Sequence, residues 1–348
     1  MIVSFLILEV LTRLFLSPSD VPDIYFNPLL GNSFVPNQSG VYIKGKNQEI
    51  KAKFRINNLG FNSPHDYSKT KPDDTYRVAI VGDSFIESLQ VDYYKSYPYI
   101  LENALHIKKL KGKKVEVYTF GHSGANLFHY TKAVEFVEDN FKPDLIIVNI
   151  VENDFKESIY GNNRKDNWSL DFHNGNTIEH SPDQITNLWV KRLLSKSALV
   201  RYLTINLDLI NTSPILNKIF YAETREFAPK NFVWDNDTLT RLTNYSVEKL
   251  VNRANESENN ILFILDTDRE VIYNQRDFGE TEHYDFNSAL KKSAKKFSVP
   301  VVDLTETFAE DWQKSKRRFD WEVDDHWNGY GHLIIGQTLT KWFAKTPQ

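Results

Sequence analysis

The chain has no cysteine among its 348 residues. That excludes a disulfide framework and any thiolate metal site, while leaving the compartment open. It also lacks a dominant charge. The formal net charge is −4, so no overall field draws it to nucleic acid or to an acidic polymer, and nucleic acid is not an expected partner. The main basic cluster, Lys108 to Lys114, reads as a solvated helix end and turn, because cations suit a helix C-terminus. No internal repeat is visible. No apolar run reaches the roughly 20 residues that a membrane span requires. Ile2 to Leu16 comes nearest, but Glu9 and Arg13 interrupt it, four apart and able to pair on one helix face. This stretch has neither a basic leader nor a clear small-residue cleavage site. It is read as a short anchor that associates with a membrane through residues 2–16, ahead of a signal peptide or a docked amphipathic helix. The expected location is extracytoplasmic, anchored or secreted, in the periplasm or at the cell surface.

What is present is a well-stocked core. Hydrophobic residues make up 41% and aromatics 14%, enough for a single large α/β domain with insertions. After the hydrophobic segment (1–20) comes an irregular lead-in (21–70), rich in Pro, Asn and Gly, with room for a hairpin or two. From there the rhythm is strand, helix, strand. Tyr76–Ser84, Val115–Gly121 and Pro143–Asp154 read as buried strands, with helices over 94–110 and 125–141 between and after them. Residues 156–255 break the pattern and read as a lid-like insertion with a hairpin near Phe172–His180 and helical stretches at 184–206 and 237–256. Two further strands, Ile261–Asp266 and Val299–Leu304, flank a helix over 286–297, and a last helix follows Gly331. The domain thus spans about 71–345, and short β-α-β connections imply a mostly parallel sheet.

Open parallel sheets place their sites at the carboxyl ends of strands. Those ends here carry Asp83-Ser84, then Gly121-His122-Ser123-Gly124, then Glu152-Asn153-Asp154. Beyond the fifth strand and a helix lies Val323-Asp324-Asp325-His326-Trp327. Each residue type suits acyl transfer. A serine hydroxyl needs a base, histidine is one, a carboxylate orients the imidazole, and backbone N–H groups or an amide stabilise an oxyanion. Read plainly, Ser84 can cap a helix, Asn153 and Asp154 can shape a turn, Glu152 can be a solvated charge, and Asn328 can cap the last helix. Ser123 lacks the second glycine of a nucleophile elbow, because position 125 is alanine. A metal held by Asp324, Asp325 and His326 is the minor reading, as no second ligand cluster stands at a matching spacing. No metal or other cofactor is expected.

Four blocks in this order, VGDSF, FGHSGAN, VENDF and DDHWNGYGH, resemble those of the SGNH (GDSL-type) hydrolase superfamily over about residues 75–343. The resemblance implies a flavodoxin-like three-layer α/β/α sandwich with a mostly parallel five-stranded sheet. It implies Ser84 as nucleophile, His326 as base, and an oxyanion hole from the N–H groups of Ser84 and Gly121 with the Asn153 amide. Three departures stand out: Glu152 occupies the usual glycine position of the third block, GDSF replaces GDSL, and Val323 sits where an aspartate is usual. The Asp-x-His-Trp spacing is instead similar to the branch that handles O-acetyl groups on bacterial polysaccharides. The apolar N-terminus and Arg55–Phe61 resemble membrane-anchored bacterial members.

In an extended segment, residues two apart share a side, so Asp324 is expected beside His326 and Asp325 away from it. Asp83, Glu152 and Trp327 are further candidates for substrate contact. The implied activity is a serine-dependent esterase or O-acyltransferase on an acylated small molecule or polysaccharide. A catalytically inactive carbohydrate-binding or assembly protein, or a lipid esterase, is the alternative.

Overall fold

A computed structural model of the chain describes residues 2–108, 110–160, 166–173, 175–184, 193–209, 235–256 and 260–345. Lys109 of the basic cluster and much of the expected insertion, including 185–192 and 210–234, lie outside the described residues. The chain opens with helix α1 (Ile2–Phe15) and two hairpins, β1 (Ile24–Asn27) with β2 (Gly31–Phe34) and β3 (Gln38–Lys44) with β4 (Ile50–Ile56). Then come β5 (Thr75–Gly82), α2 (Ser84–Glu87), α3 (Tyr97–Lys108), β6 (Lys114–Gly121), α4 (His129–Phe141), β7 (Leu145–Ile150) and α5 (Glu152–Glu157). A hairpin of β8 (Ser169–His173) and β9 (Asn176–His180), a short α6 (Ala198–Arg201) and a long α7 (Asn236–Glu256) follow. The chain continues through β10 (Asn260–Leu265), α8 (Arg269–Asn274), α9 (Glu282–Lys296), β11 (Val301–Asp303) and α10 (Leu304–Ser315). It ends with β12 (Asp320–Trp321), β13 (Asp324–Trp327) and α11 (Gly329–Lys345).

The central sheet is all parallel, with five strands in the order β11-β10-β7-β5-β6. Every residue of β5 and β7 is buried, which is why Val78–Val81 and Leu145–Val148 read as unbroken apolar runs rather than alternating ones. Their side chains still alternate between two cores. Ala79, Val81, Ile146 and Val148 face the layer of α4, α7 and α9. Val78, Ile80, Leu145 and Ile147 face the layer of α3, α10 and α11. Strand order reverses between β5 and β7, the topological switch point where such sheets open a crevice. Residues following both strands therefore emerge side by side.

The lead-in is two hairpins, and it is laced to the rest by named bonds. The Val41 N–H donates to Asp20 Oδ2 at 3.0 Å, the Ile43 N–H to Ser19 Oγ at 2.9 Å, and the Gly45 N–H to the Asn206 carbonyl at 2.8 Å. Helix α1 carries the expected Arg13–Glu9 pair at 2.7 Å. Its Glu9 carboxylate also accepts from the Ser197 hydroxyl and from the N–H groups of Ala198 and Leu199, capping α6. Val3, Leu14 and Phe15 remain largely exposed. No helix among the described residues is long and apolar enough to cross a membrane.

Candidate active site

Ser84 is placed by a short, tightly determined turn. β5 ends at Gly82, where a Cβ would stand 2.3 Å from Ile86 Cγ1, so only glycine lets α2 fold back against the strand. Asp83 caps α2, its Oδ1 accepting the Phe85 N–H at 2.9 Å. Ser84 is thus the first helical residue rather than the cap, and its N–H lies among the helix-start donors that have no partner inside the helix.

His326 arrives from the far end of the chain. Asn328 fixes the β12–β13 hairpin and the start of α11 together. Its amide donates to the carbonyls of Arg318 and Asp320, and its Oδ1 accepts the N–H groups of Tyr330 and Gly331. Trp327 wedges behind the hairpin, edge-on to Phe85 at 4.8 Å, and its indole N–H donates to Asp266 Oδ1 at 3.2 Å. Arg269 braces the outside. It binds Asp266 and Asp320 and donates to the Asp325 carbonyl at 2.8 Å.

The result is a continuous chain of hydrogen bonds. Ser84 Oγ lies 2.7 Å from His326 Nε2, across 242 residues of sequence. On the other side of the ring, His326 Nδ1 is 2.5 Å from Asp324 Oδ1, which also accepts the His326 backbone N–H at 3.0 Å. Because β13 is extended, Asp324 falls beside the imidazole, whereas Asp325 is exposed. Burial alone would raise the Asp324 pKa. The hydrogen bond from His326 and the charges of His326 and Lys44 outweigh burial and hold the carboxyl well below the ordinary range.

The serine and histidine open onto a cavity of about 560 Å³. Asn153 lines it from the end of β7, and its side chain helps to hold down the Asp83 pKa. Asp325, Asp268, Arg269, Lys156 and His283 also line it. Glu152 lies there too, paired with Lys156 and with His283 Nδ1, both at 3.4 Å. Burial would lower the His283 pKa, but the hydrogen bond to Glu152 and the charges of Asp266 and Glu152 raise it.

Three expectations need correction. Gly121 does not join this cavity. It packs its Cα against α2, where a Cβ would be 2.1 Å from the Glu87 nitrogen, and it lines a separate hollow with Glu87 and Phe61. The next residue, His122, gives its N–H to the Gly82 carbonyl at 3.0 Å. Asp83 has no exposed surface, and Trp327 has 1%, so neither can touch a substrate. Asp83 works from below instead. Burial pushes its pKa up to about 6, against the Phe85 N–H bond and the His326 charge, which pull it down. Behind it, Asp154 accepts the Val151 N–H at 2.8 Å and the Tyr130 hydroxyl at 2.7 Å, shaping the loop as a turn residue does.

Arg269, Asp266 and His283 had no part in the reading of the sequence. The signal was there: the fourth strand also ends in polar residues, Asp266-Thr267-Asp268-Arg269, and it borders β7 in the sheet.

No protein-family model matches the chain, and no curated protein matches it. Several solved structures are similar to it. LAE5, an α/β hydrolase enzyme from the metagenome of Lake Arreo, Spain, shares 10% identity over 81% of this chain and 100% of its own, with a TM-score of 0.46. The acetyl xylan esterase AlAXEase shares 13% identity over 78% of this chain and 100% of its own, at 0.40. A catalytic mutant of Axe2, an acetylxylan esterase from Geobacillus stearothermophilus, shares 11% over 78% of this chain and 95% of its own, at 0.41. Likeness at this level says nothing of activity, which has to be argued from the site itself.

Proposed function

We propose that the protein is a serine-dependent ester hydrolase or O-acyltransferase of the SGNH type, acting on short acyl groups, acetyl foremost, carried by a carbohydrate. The observation that carries this reading is the Ser84–His326–Asp324 chain, at 2.7 and 2.5 Å, opening onto a cavity. His326 Nε2 takes the hydroxyl proton as Ser84 Oγ attacks the acyl carbonyl. The oxyanion forms against the Ser84 N–H and the Asn153 amide. On collapse, His326 returns the proton to the leaving alcohol. Water or a sugar hydroxyl then enters by the same general-base step and releases the acyl group. Asp324 keeps the Nδ1 proton in place and stabilises the imidazolium throughout.

The acyl length follows from the walls. Among the described residues, Phe85 and Val151 are the apolar side chains lining the cavity, and the other lining residues are polar or charged. A long alkyl chain would meet only these two apolar side chains there, while a sugar finds many hydrogen-bond partners. This favours an acetyl ester over a lipid. The exposed apolar side chains of α1 support association with a membrane surface through residues 2–16. The test is Ser84→Ala, with p-nitrophenyl acetate and p-nitrophenyl palmitate as substrates. Acetate turnover is expected to vanish while the circular dichroism is unchanged, and a fluorophosphonate is expected to label wild type at Ser84. Undiminished turnover in the variant ends the proposal.

A further inference from the structure

One cation reaches the site from outside the sandwich. Lys44 is the last residue of β3, which pairs with β4 along its whole length in the lead-in. Its Nζ lies 2.8 Å from Asp324 Oδ2, on the oxygen that His326 does not use. Only 5% of the aspartate side chain is exposed, and 17% of the lysine. The two are 280 residues apart in sequence. The same ammonium is 3.4 Å from Asp208, within the insertion.

We propose that Lys44 is a positioning residue of the active site: it grips the outer oxygen of Asp324 and shares that carboxylate's charge with His326. The inference rests on the catalytic reading of Ser84, His326 and Asp324 given above.

Two consequences follow from the geometry. First, Asp324 is fixed at both oxygens by different parts of the chain, so it cannot rotate away from the imidazole. Second, a cation on Oδ2 lessens the negative charge felt at Nδ1. Without it, the imidazolium is favoured more strongly and the base is protonated at a higher pH. Asp208 tempers the effect by drawing on the same ammonium. The lead-in is therefore part of the site and not merely a connection to it. Other groups facing this cluster are Tyr42 on β3, Asp83 and Glu87 from α2, His332 from α11, and Arg269 from α8 through the Asp325 carbonyl. None of these places a cation on Asp324. Burial keeps His332 neutral, pushing its pKa down to about 3.

The experiment uses the full chain and records kcat/KM for p-nitrophenyl acetate against pH. Lys44→Met is expected to move the acid limb upward by about one pH unit, because a like charge facing the imidazolium across the carboxylate is removed. Lys44→Arg is expected to keep the wild-type profile, since it restores the cation. Asp208→Asn is expected to move the limb the other way, because the ammonium then serves Asp324 alone. A purely structural role would lower activity without this pair of opposite shifts. Superimposable profiles for Lys44→Met and wild type, or an arginine variant that behaves like the methionine one, overturn the proposal. If Lys44→Met does not fold, an unmoved Asp208→Asn profile overturns it equally. Persistent turnover in Ser84→Ala removes both this role and the catalytic reading. A dead Ser84→Ala with an unmoved Lys44→Met profile removes this role alone.

Discussion

Replacing Asp324 by asparagine is the sharpest test of how the site holds together. Three donors converge on this carboxylate: His326 Nδ1 at 2.5 Å and the His326 N–H at 3.0 Å on Oδ1, and Lys44 Nζ at 2.8 Å on Oδ2. An amide can accept at one end only, and its NH₂ donates. If the NH₂ faces Nδ1, the imidazole must shift its proton to Nε2, which then cannot accept from Ser84 Oγ at 2.7 Å. If it faces Lys44, two donors abut and the ammonium loses its counter-charge. Neither rotamer satisfies the site. The expected loss is about 10⁴-fold in kcat, the size found when a triad carboxylate becomes an amide and the tautomer is wrong. That is about 5 kcal/mol of transition-state stabilisation. Asp325→Asn provides the control. The Asp325 side chain is exposed, and it is its carbonyl that holds Arg269, so the loss should stay within about threefold, well under 1 kcal/mol. Steady-state hydrolysis of p-nitrophenyl acetate measures both, with near-ultraviolet circular dichroism to confirm folding. An Asp324→Asn enzyme within tenfold of wild type, or a larger loss in Asp325→Asn, would refute the reasoning.

Two other variants test the frame of the site. Asp83 has a folded pKa raised to about 6 by burial, so the stability this carboxyl contributes is fully present below its unfolded value of about 3.9 and is lost as pH rises through about 6. Asp83→Asn, which can still cap α2, should therefore flatten the melting-temperature curve between about pH 4 and 6 relative to wild type, and parallel curves would contradict it. Gly121→Ala should disturb Ser84 without touching the cavity. Its Cβ would meet the Glu87 backbone nitrogen at 2.1 Å, forcing α2 to move, and an expected cost of about 1–3 kcal/mol should appear in urea unfolding together with a fall in kcat. Full activity and stability in this variant would show that α2 has slack there.

Much of the sheet was legible along the chain because burial writes directly into sequence. A strand covered on both faces must be largely apolar, as Arg77-flanked Val78–Val81 and Leu145–Val148 are. Its polar end must then mark the sheet edge. The spacing of Asp324 and His326 was legible for the same local reason: an extended backbone puts alternate residues on one side. Trp327 was less so. A tryptophan beside a polar loop looks alike in sequence whether it faces a sugar or the core, and only the Phe85 ring and Asp266 behind it decide.

By itself, then, the sequence determined the order of the elements, the parallel sheet they imply and the polar residue types waiting at the strand ends. The tertiary structure decided which of those ends meet. It brought Ser84 to His326 and packed Gly121 against α2 rather than in the cavity. It also drew Lys44 in from the lead-in hairpin to the buried oxygen of Asp324. The reason is physical. Periodicity and residue type act over a few neighbours, whereas a hydrogen bond spanning 242 residues exists only because packing elsewhere has already fixed both partners.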